Sequence, residues 1–197
     1  PQIITVSGQD DSILDGSQNV TITVSVNADS DANFVDLSSQ TVIVTNLNDD
    51  YAGFIIDVST IEVSETGISG EFTIRLTAEP DSSGVKFDIN WNDTTEINVD
   101  PSMVIFTSGN WNIPQIITVS GQDDSIIDGS QNVTITVSVN ADSDANFTSL
   151  PDQSFNITNL DDDVAGIQFH IPDDIVITEL GLSGEFTIRL TSQPDPS

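Results

Sequence analysis

The sequence predicts an all-β protein, built of immunoglobulin-like antiparallel β-sandwich repeats in tandem with almost no helix. Three observations lead to this prediction. A long stretch of the chain occurs twice at a fixed spacing, and apolar residues alternate with polar ones in several short segments. Aspartate outnumbers glutamate 25 to 7 among the 197 residues, a bias away from helix surfaces and toward turns.

The repeat has a period of 113 residues. Residues 1–34 recur at 114–147 with one difference, because Leu14 becomes Ile127. Weaker matches follow, since TNLNDDYAG corresponds to TNLDDDVAG and the string SGEFTIRLT occurs twice. The whole chain is therefore assigned to copies of one unit.

The acidic runs mark the boundaries between copies. Residues 1–50 are predicted to be the C-terminal part of one copy with strands E to G, and residues 51–163 a complete copy. Residues 164–197 are the N-terminal part of a third, with strands A and B. Partial copies would expose sheet edges, which favours a window from a longer array over chains that complete each other end to end. Even together, the two partial copies lack a counterpart of residues 85–113.

Period-two alternation locates the strands of the complete copy. Phe72, Ile74 and Leu76 alternate with polar residues, and the segment VTITVSV from Val133 does the same. Each pattern is typical of a strand with one buried face. The predicted strands, A to G, are residues 53–63, 71–78, 85–91, 103–107, 115–120, 132–140 and 154–159.

Acidic residues are concentrated in four connections of this predicted sandwich. Successive antiparallel strands place the A–B, C–D and E–F loops and the exit from strand G at one end, here called the lower pole. Each of these four segments contains at least one carboxylate. The acidic residues concerned are Glu65, Glu96, Asp123, Asp124, Asp128, Asp161, Asp162 and Asp163.

Such a cluster needs a counter-charge. Two carboxylates about 4 Å apart repel each other by roughly 4 kcal/mol at an effective dielectric constant near 20. The chain contains three basic residues, one histidine and no cysteine, so the composition favours a hard, oxygen-liganded divalent cation, Ca²⁺. A single Asp pair in a turn would more often be a solvated surface feature. Convergence of four acidic segments favours the metal-binding interpretation.

Three stretches also resemble a known family. DDDVAGI followed by ITELGLSGEFTIRLT, together with VSGQDDSIIDGSQNVTITV, is similar to the Calx-beta repeat of sodium–calcium exchangers, integrin cytoplasmic partners and long bacterial surface proteins. The resemblance covers essentially the whole repeat and implies an immunoglobulin-like sandwich. It also implies calcium at the pole formed by the A–B, C–D and E–F loops and the terminal Asp run. FTSGNWNIPQIITVSGQDD is closer to the tandem form in large bacterial adhesins.

The partial copies are expected to repeat parts of the same site. One calcium-ligand set is predicted in the first copy and a single ligand in the third. These residues are Asp10, Asp11, Asp15, Asp49 and Asp50 in the first copy, and Glu179 in the third.

Composition narrows the functional classes. A formal net charge of -29 argues against nucleic-acid binding, and no apolar run approaches the roughly 20 residues of a membrane-spanning helix. With His170 as the one histidine, no histidine-based catalytic dyad can form, and we expect no enzyme activity.

These observations predict a calcium-binding structural repeat of a long extracellular, bacterial cell-surface adhesin or filament. Calcium at the domain junctions would rigidify an extended stalk for attachment or gliding, with neighbouring repeats as its partners. The alternative is an adhesive module whose loops recognise a glycan or protein ligand directly.

Overall fold

The computed structural model describes residues 1–59, 62–172 and 174–194. These residues contain strands, turns and irregular segments and no helix, which confirms the predicted all-β class. Accordingly, nothing in the described part of the chain forms an apolar helix long enough to cross a membrane.

The strands are numbered in chain order. In residues 1–50 they are β1 (Gln18–Val24) and β2 (Gln40–Asn46). In residues 51–163 they are β3 (Phe54–Val58), β4 (Glu62–Ser64), β5 (Ser69–Leu76), β6 (Val85–Trp91), β7 (Ile97–Asp100), β8 (Met103–Phe106), β9 (Gln115–Gly121), β10 (Gln131–Val139) and β11 (Gln153–Leu160). Beyond them lie β12 (Ile167–His170) and β13 (Thr187–Leu190).

Residues 51–163 form two sheets. One has the strand order β4-β11-β10-β6-β8 and the other β3-β5-β9-β7. All neighbours are antiparallel except β4 and β11, which run parallel. This arrangement is a sandwich of the predicted immunoglobulin-like type.

The alternating residues of the sequence form the core of this sandwich. Phe72, Ile74 and Leu76 of β5 point inward, and every second residue of β10 from Val133 to Val137 is fully buried on the facing sheet. The ring of Phe87 lies 4.7 Å from that of Phe54, measured between centroids. Burial of these side chains supplies the main stabilisation of the two-sheet unit and fixes which strand ends meet at each pole.

Predicted strand A is wrong as a single element. The chain leaves the four-stranded sheet after Val58, and Glu62–Ser64 then pairs with β11 of the other sheet. Val63 is buried there, so both parts contribute to the core although they belong to different layers. Thr60 and Ile61, which the prediction included in strand A, lie outside the described residues.

The predicted C–D loop contains an additional strand. Ile97 and Val99 are buried, whereas Asn98 and Asp100 are exposed, so β7 shows the same alternation as the longer strands. It pairs with β9 at the edge of the four-stranded sheet. Because β7 is only four residues long, the pattern of its residues alone does not distinguish this strand from a loop.

The partial copies form hairpins. Strands β1 and β2 pair as the counterparts of F and G, and β12 pairs with β13 as the counterparts of A and B. Predicted strand E of the first copy is wrong, because residues 1–7 form no strand. In the complete copy this strand is β9, which bonds to β5 and β7, and residues 1–50 contain no counterpart of either.

Candidate metal site

The lower pole is where the predicted acidic segments meet. Glu65 directly follows β4, Glu96 directly precedes β7, and the remaining carboxylates lie in the β9–β10 loop and after β11. Two overlapping groups have carboxylate oxygens within 4.8 Å of one another. They are Glu65 with Asp123 and Asp162, and Glu65 with Asp161 and Asp163. Residues far apart in sequence are thus brought together, with Glu65 common to both groups.

Two of these carboxylates are buried. Glu65 is 6% exposed and Glu96 is 8% exposed, while the Asp residues form the more exposed rim. Each of the two has a polar contact with the side-chain amide of Asn159, which is fully buried on β11. Its Nδ2 donates to Glu96 Oε2 at 3.2 Å and, more weakly, to Glu65 Oε1 at 3.5 Å. Asn159 therefore holds the carboxylates of two different loops side by side.

Sequence reasoning missed Asn159. The sequence does mark this position, since the string TNL recurs and Asn46 occupies the same place in the first copy. An asparagine within a strand is uncommon. Without knowing which face of β11 points inward, however, the sequence cannot distinguish a buried amide from an exposed one.

Several oxygens at this pole lack a hydrogen-bond partner among the described residues. These buried atoms are Glu65 Oε2, Asn159 Oδ1 and Asp163 Oδ2. A buried oxygen without a partner costs free energy, and none of these three acceptors receives a hydrogen bond from the described residues. Gly121 preserves the space around the amide, because a β-carbon there would collide with Asn159 Oδ1 and the Ser64 carbonyl. Unsatisfied acceptors that converge in this way are suited to a cation.

Burial and mutual repulsion raise the pKa of Glu65 to about 7. Loss of hydration is the largest cause, and surrounding negative charges add to it. Those charges are, in decreasing order of effect, Asp124, Asp161, Glu96 and Asp162. The carboxyl is therefore about half protonated at neutral pH when no counter-charge is present.

The pKa of Glu96 is also raised. Burial is again the largest cause, and the hydrogen bond from Asn159 acts in the opposite direction. Further increases come from the charges of Asp128, Asp93 and Asp124. Asp128 thus belongs electrostatically to the same pole, although it is absent from the two close groups.

Backbone amides fix the orientation of the rim carboxylates. Gly129 N–H donates to Asp161 Oδ2 at 2.9 Å, which ties the β9–β10 loop to the run after β11. Ile126 N–H donates to Asp124 Oδ1 at 2.6 Å. Asp161 Oδ1 in turn accepts from Asp163 N–H at 2.7 Å, whereas Asp124 Oδ2 accepts no backbone N–H from the described residues. These bonds orient the carboxylates, and each oxygen keeps a lone pair for a further ligand.

The chemistry of the donor set fits calcium. Every candidate ligand is a carboxylate or amide oxygen, and the candidates come from four separate segments. Ca²⁺ accepts six to eight such ligands in flexible geometry, whereas Mg²⁺ requires a near-ideal octahedron. None of the three basic residues lies in these segments, since Arg75, Lys86 and Arg189 are on β5, β6 and β13.

The predicted acidic residues of the first copy lie around one cavity, although they form neither of the two close groups found among the described residues. All five predicted residues, Asp10, Asp11, Asp15, Asp49 and Asp50, line one cavity together with Asn46. Partial burial, followed by the charges of its acidic neighbours, raises the pKa of Asp50. Glu179 is exposed, and it belongs to none of the acidic groups found among the described residues.

The site of the complete copy adjoins the next repeat. Only three residues separate Asp163 from β12, and Ser192 Oγ of the next repeat donates to Asp163 Oδ1 at 3.1 Å.

Comparison with known proteins adds no further assignment, because no protein-family model and no curated protein matches the chain. The functional interpretation therefore depends on the geometry of this pole and on the repeated motifs.

Proposed function

We propose that this chain is a non-enzymatic, calcium-binding structural segment of an extended extracellular stalk, in a cell-surface adhesin or filament of Calx-beta-like repeats. In this proposal Ca²⁺ binds at the lower pole of each repeat. It stiffens the junction with the following repeat, so that the array positions another element for attachment or gliding.

The observation that carries the proposal is the buried carboxylate of Glu65. It is 6% exposed, has one oxygen without a described partner, and is surrounded by other carboxylates rather than by bases. An uncompensated buried charge is among the most costly features of a folded protein. A bound dication would remove this cost.

Two sets of residues in the chain would supply the calcium ligands. Glu65 and Glu96 would supply ligands from the sandwich, with Asn159 holding them in place. Asp162 and Asp163 would supply ligands from the segment that leads into the next repeat. Calcium, when bound, supplies two positive charges between these two sets. The linker would thereby be held to the body of the preceding repeat.

A stalk outside the cell is consistent with the expected affinity. Extracellular calcium modules typically bind with dissociation constants of about 10⁻⁴ to 10⁻³ M, which matches environments where calcium is abundant. Without bound calcium, the net charge of -29 would make successive repeats repel each other.

The proposal predicts that calcium narrows the range of distances between successive repeats. The chain has no cysteine, so Thr21→Cys and Thr118→Cys place one spin label on each of two neighbouring copies. Double electron–electron resonance should give a broad distribution of distances between the two labels in chelator and a narrow one in millimolar calcium. The same labels in an Asp11→Asn/Asp50→Asn background serve as the control, in which calcium should have little effect. Equal widths with and without calcium in the unmodified background would refute the proposal.

A further inference from the structure

The two junctions in the chain share one contact. At the first junction, Glu79 N–H donates to the Ser12 carbonyl at 2.8 Å; at the second, Gln193 N–H donates to the Ser125 carbonyl at 2.6 Å. Parallel β-bridges accompany both bonds, Ile13 with Glu79 and Ile126 with Gln193. The contact uses equivalent positions of the repeat each time.

Residues 12–14 and 125–127, here called the docking tips, also make apolar contacts with the following repeat. Leu14 is half-buried and packs against the margin of the complete copy's core. Ile127 lines a cavity with Leu190 and Pro194 of the third copy. Each tip therefore combines a backbone hydrogen bond with an apolar side chain, a combination that fixes both position and register.

The same loop contains the candidate calcium ligands. Ile126 N–H is held by Asp124 Oδ1, and at the first junction Ile13 N–H is held by Asp11 Oδ1 at 2.9 Å. On the other side of the tip, Asp128 N–H donates to the Ile126 carbonyl at 3.0 Å. These hydrogen bonds connect the position of the candidate ligands to the position of the tip.

We infer that the docking tip is the surface by which each repeat binds the next copy of the repeat, and that docking and calcium binding favour each other. The coupling rests on the proposed function, whereas the docking contact does not. Because thermodynamic coupling is reciprocal, any factor by which calcium strengthens docking is also the factor by which docking strengthens calcium binding.

The test changes the partner side of the junction and leaves every candidate ligand intact. Gln193→Pro removes the N–H that bonds to Ser125, whereas the matched control Gln193→Ala keeps it. Calcium is titrated into the full chain while the amide resonance of Gly129 reports the site of the complete copy. We expect Gln193→Pro to weaken calcium binding roughly fivefold or more, and Gln193→Ala to bind like the unmodified chain.

A second pair of variants guards against a local effect of proline. Ile127→Ser removes the apolar side chain of the docking tip. The matched control is Ile105→Ser, because Ile105 is 48% exposed, as Ile127 is, but lies on the outer face of β8. Of these two variants, only Ile127→Ser should weaken calcium binding. Unchanged calcium affinity in both Gln193→Pro and Ile127→Ser would overturn this inference and leave the proposed function standing. Absence of calcium binding in the unmodified chain would overturn the proposed function and, with it, the coupling.

Discussion

Glu65→Gln is expected to stabilise the protein in chelator and to reduce the stabilisation that calcium provides. In chelator the substitution removes a buried charge whose pKa is raised to about 7, so the free energy of unfolding at pH 8 should increase. We expect a gain of about 1–3 kcal/mol, since one pKa unit corresponds to roughly 1.4 kcal/mol. In calcium the same change removes a ligand shared by both acidic groups. At 1 mM calcium and a dissociation constant of about 10⁻⁴ M, calcium adds about 1.4 kcal/mol to the free energy of unfolding, and tenfold weaker binding would remove most of it.

Denaturant titration of the two proteins in chelator and in millimolar calcium measures both effects. Glu71→Gln is the matched control, because this glutamate is exposed on β5 and belongs to neither of the two close acidic groups. It should have little effect in either condition. The interpretation of Glu65 would be wrong if Glu65→Gln destabilised the protein equally in both conditions, as expected for a residue with a purely structural role.

The pH dependence of stability should also largely disappear when calcium is added. Glu65 has a folded-state pKa of about 7 against a model value of 4.5. Between these two pH values the folded protein binds more protons than the unfolded chain, so in chelator its stability should fall as pH rises. Calcium requires deprotonated ligands, so with saturating calcium the folded protein should hold no more protons than the unfolded chain, and stability should no longer fall as pH rises over this interval.

Thermal unfolding midpoints between pH 4.5 and pH 8 test this difference, because the interval brackets the raised pKa of Glu65. The lowered pKa of Asp93, caused by its bonds to Thr95, acts at more acidic pH and leaves the sign unchanged in this interval. In chelator, Glu65→Gln should reduce the slope. A calcium-bound protein that loses stability as pH rises would contradict the assignment of these carboxylates as ligands.

The strands with long alternation could be predicted from the sequence because their burial decides their structure. In β5 and β10, apolar residues at every second position are sufficient to specify a strand with one inward face. For β7 the same signal extends over only four residues, and the division of strand A into β3 and β4 depends on which sheet has a free edge. Edge pairing is a property of the assembled fold.

The acidic part of the site was similarly accessible to sequence reasoning. Antiparallel order determines which loops share a pole, and this is enough to group Glu65 with the Asp run after β11. Asn159 and the docking tips were not accessible. The role of Asn159 depends on which way its side chain points in β11, and the Glu79–Ser12 bond depends on how one repeat sits on the next.

Crystallographic location of the ion is the most direct test of the central claim, that the carboxylates at the lower pole form a cation site. Crystals of the chain grown with calcium and then exchanged into terbium would give an anomalous signal at any occupied site. The account predicts a peak between Glu65 and Asp162, within coordination distance of both carboxylates. A map of well-diffracting crystals with no peak at this pole, or with peaks only on other surfaces, would contradict it.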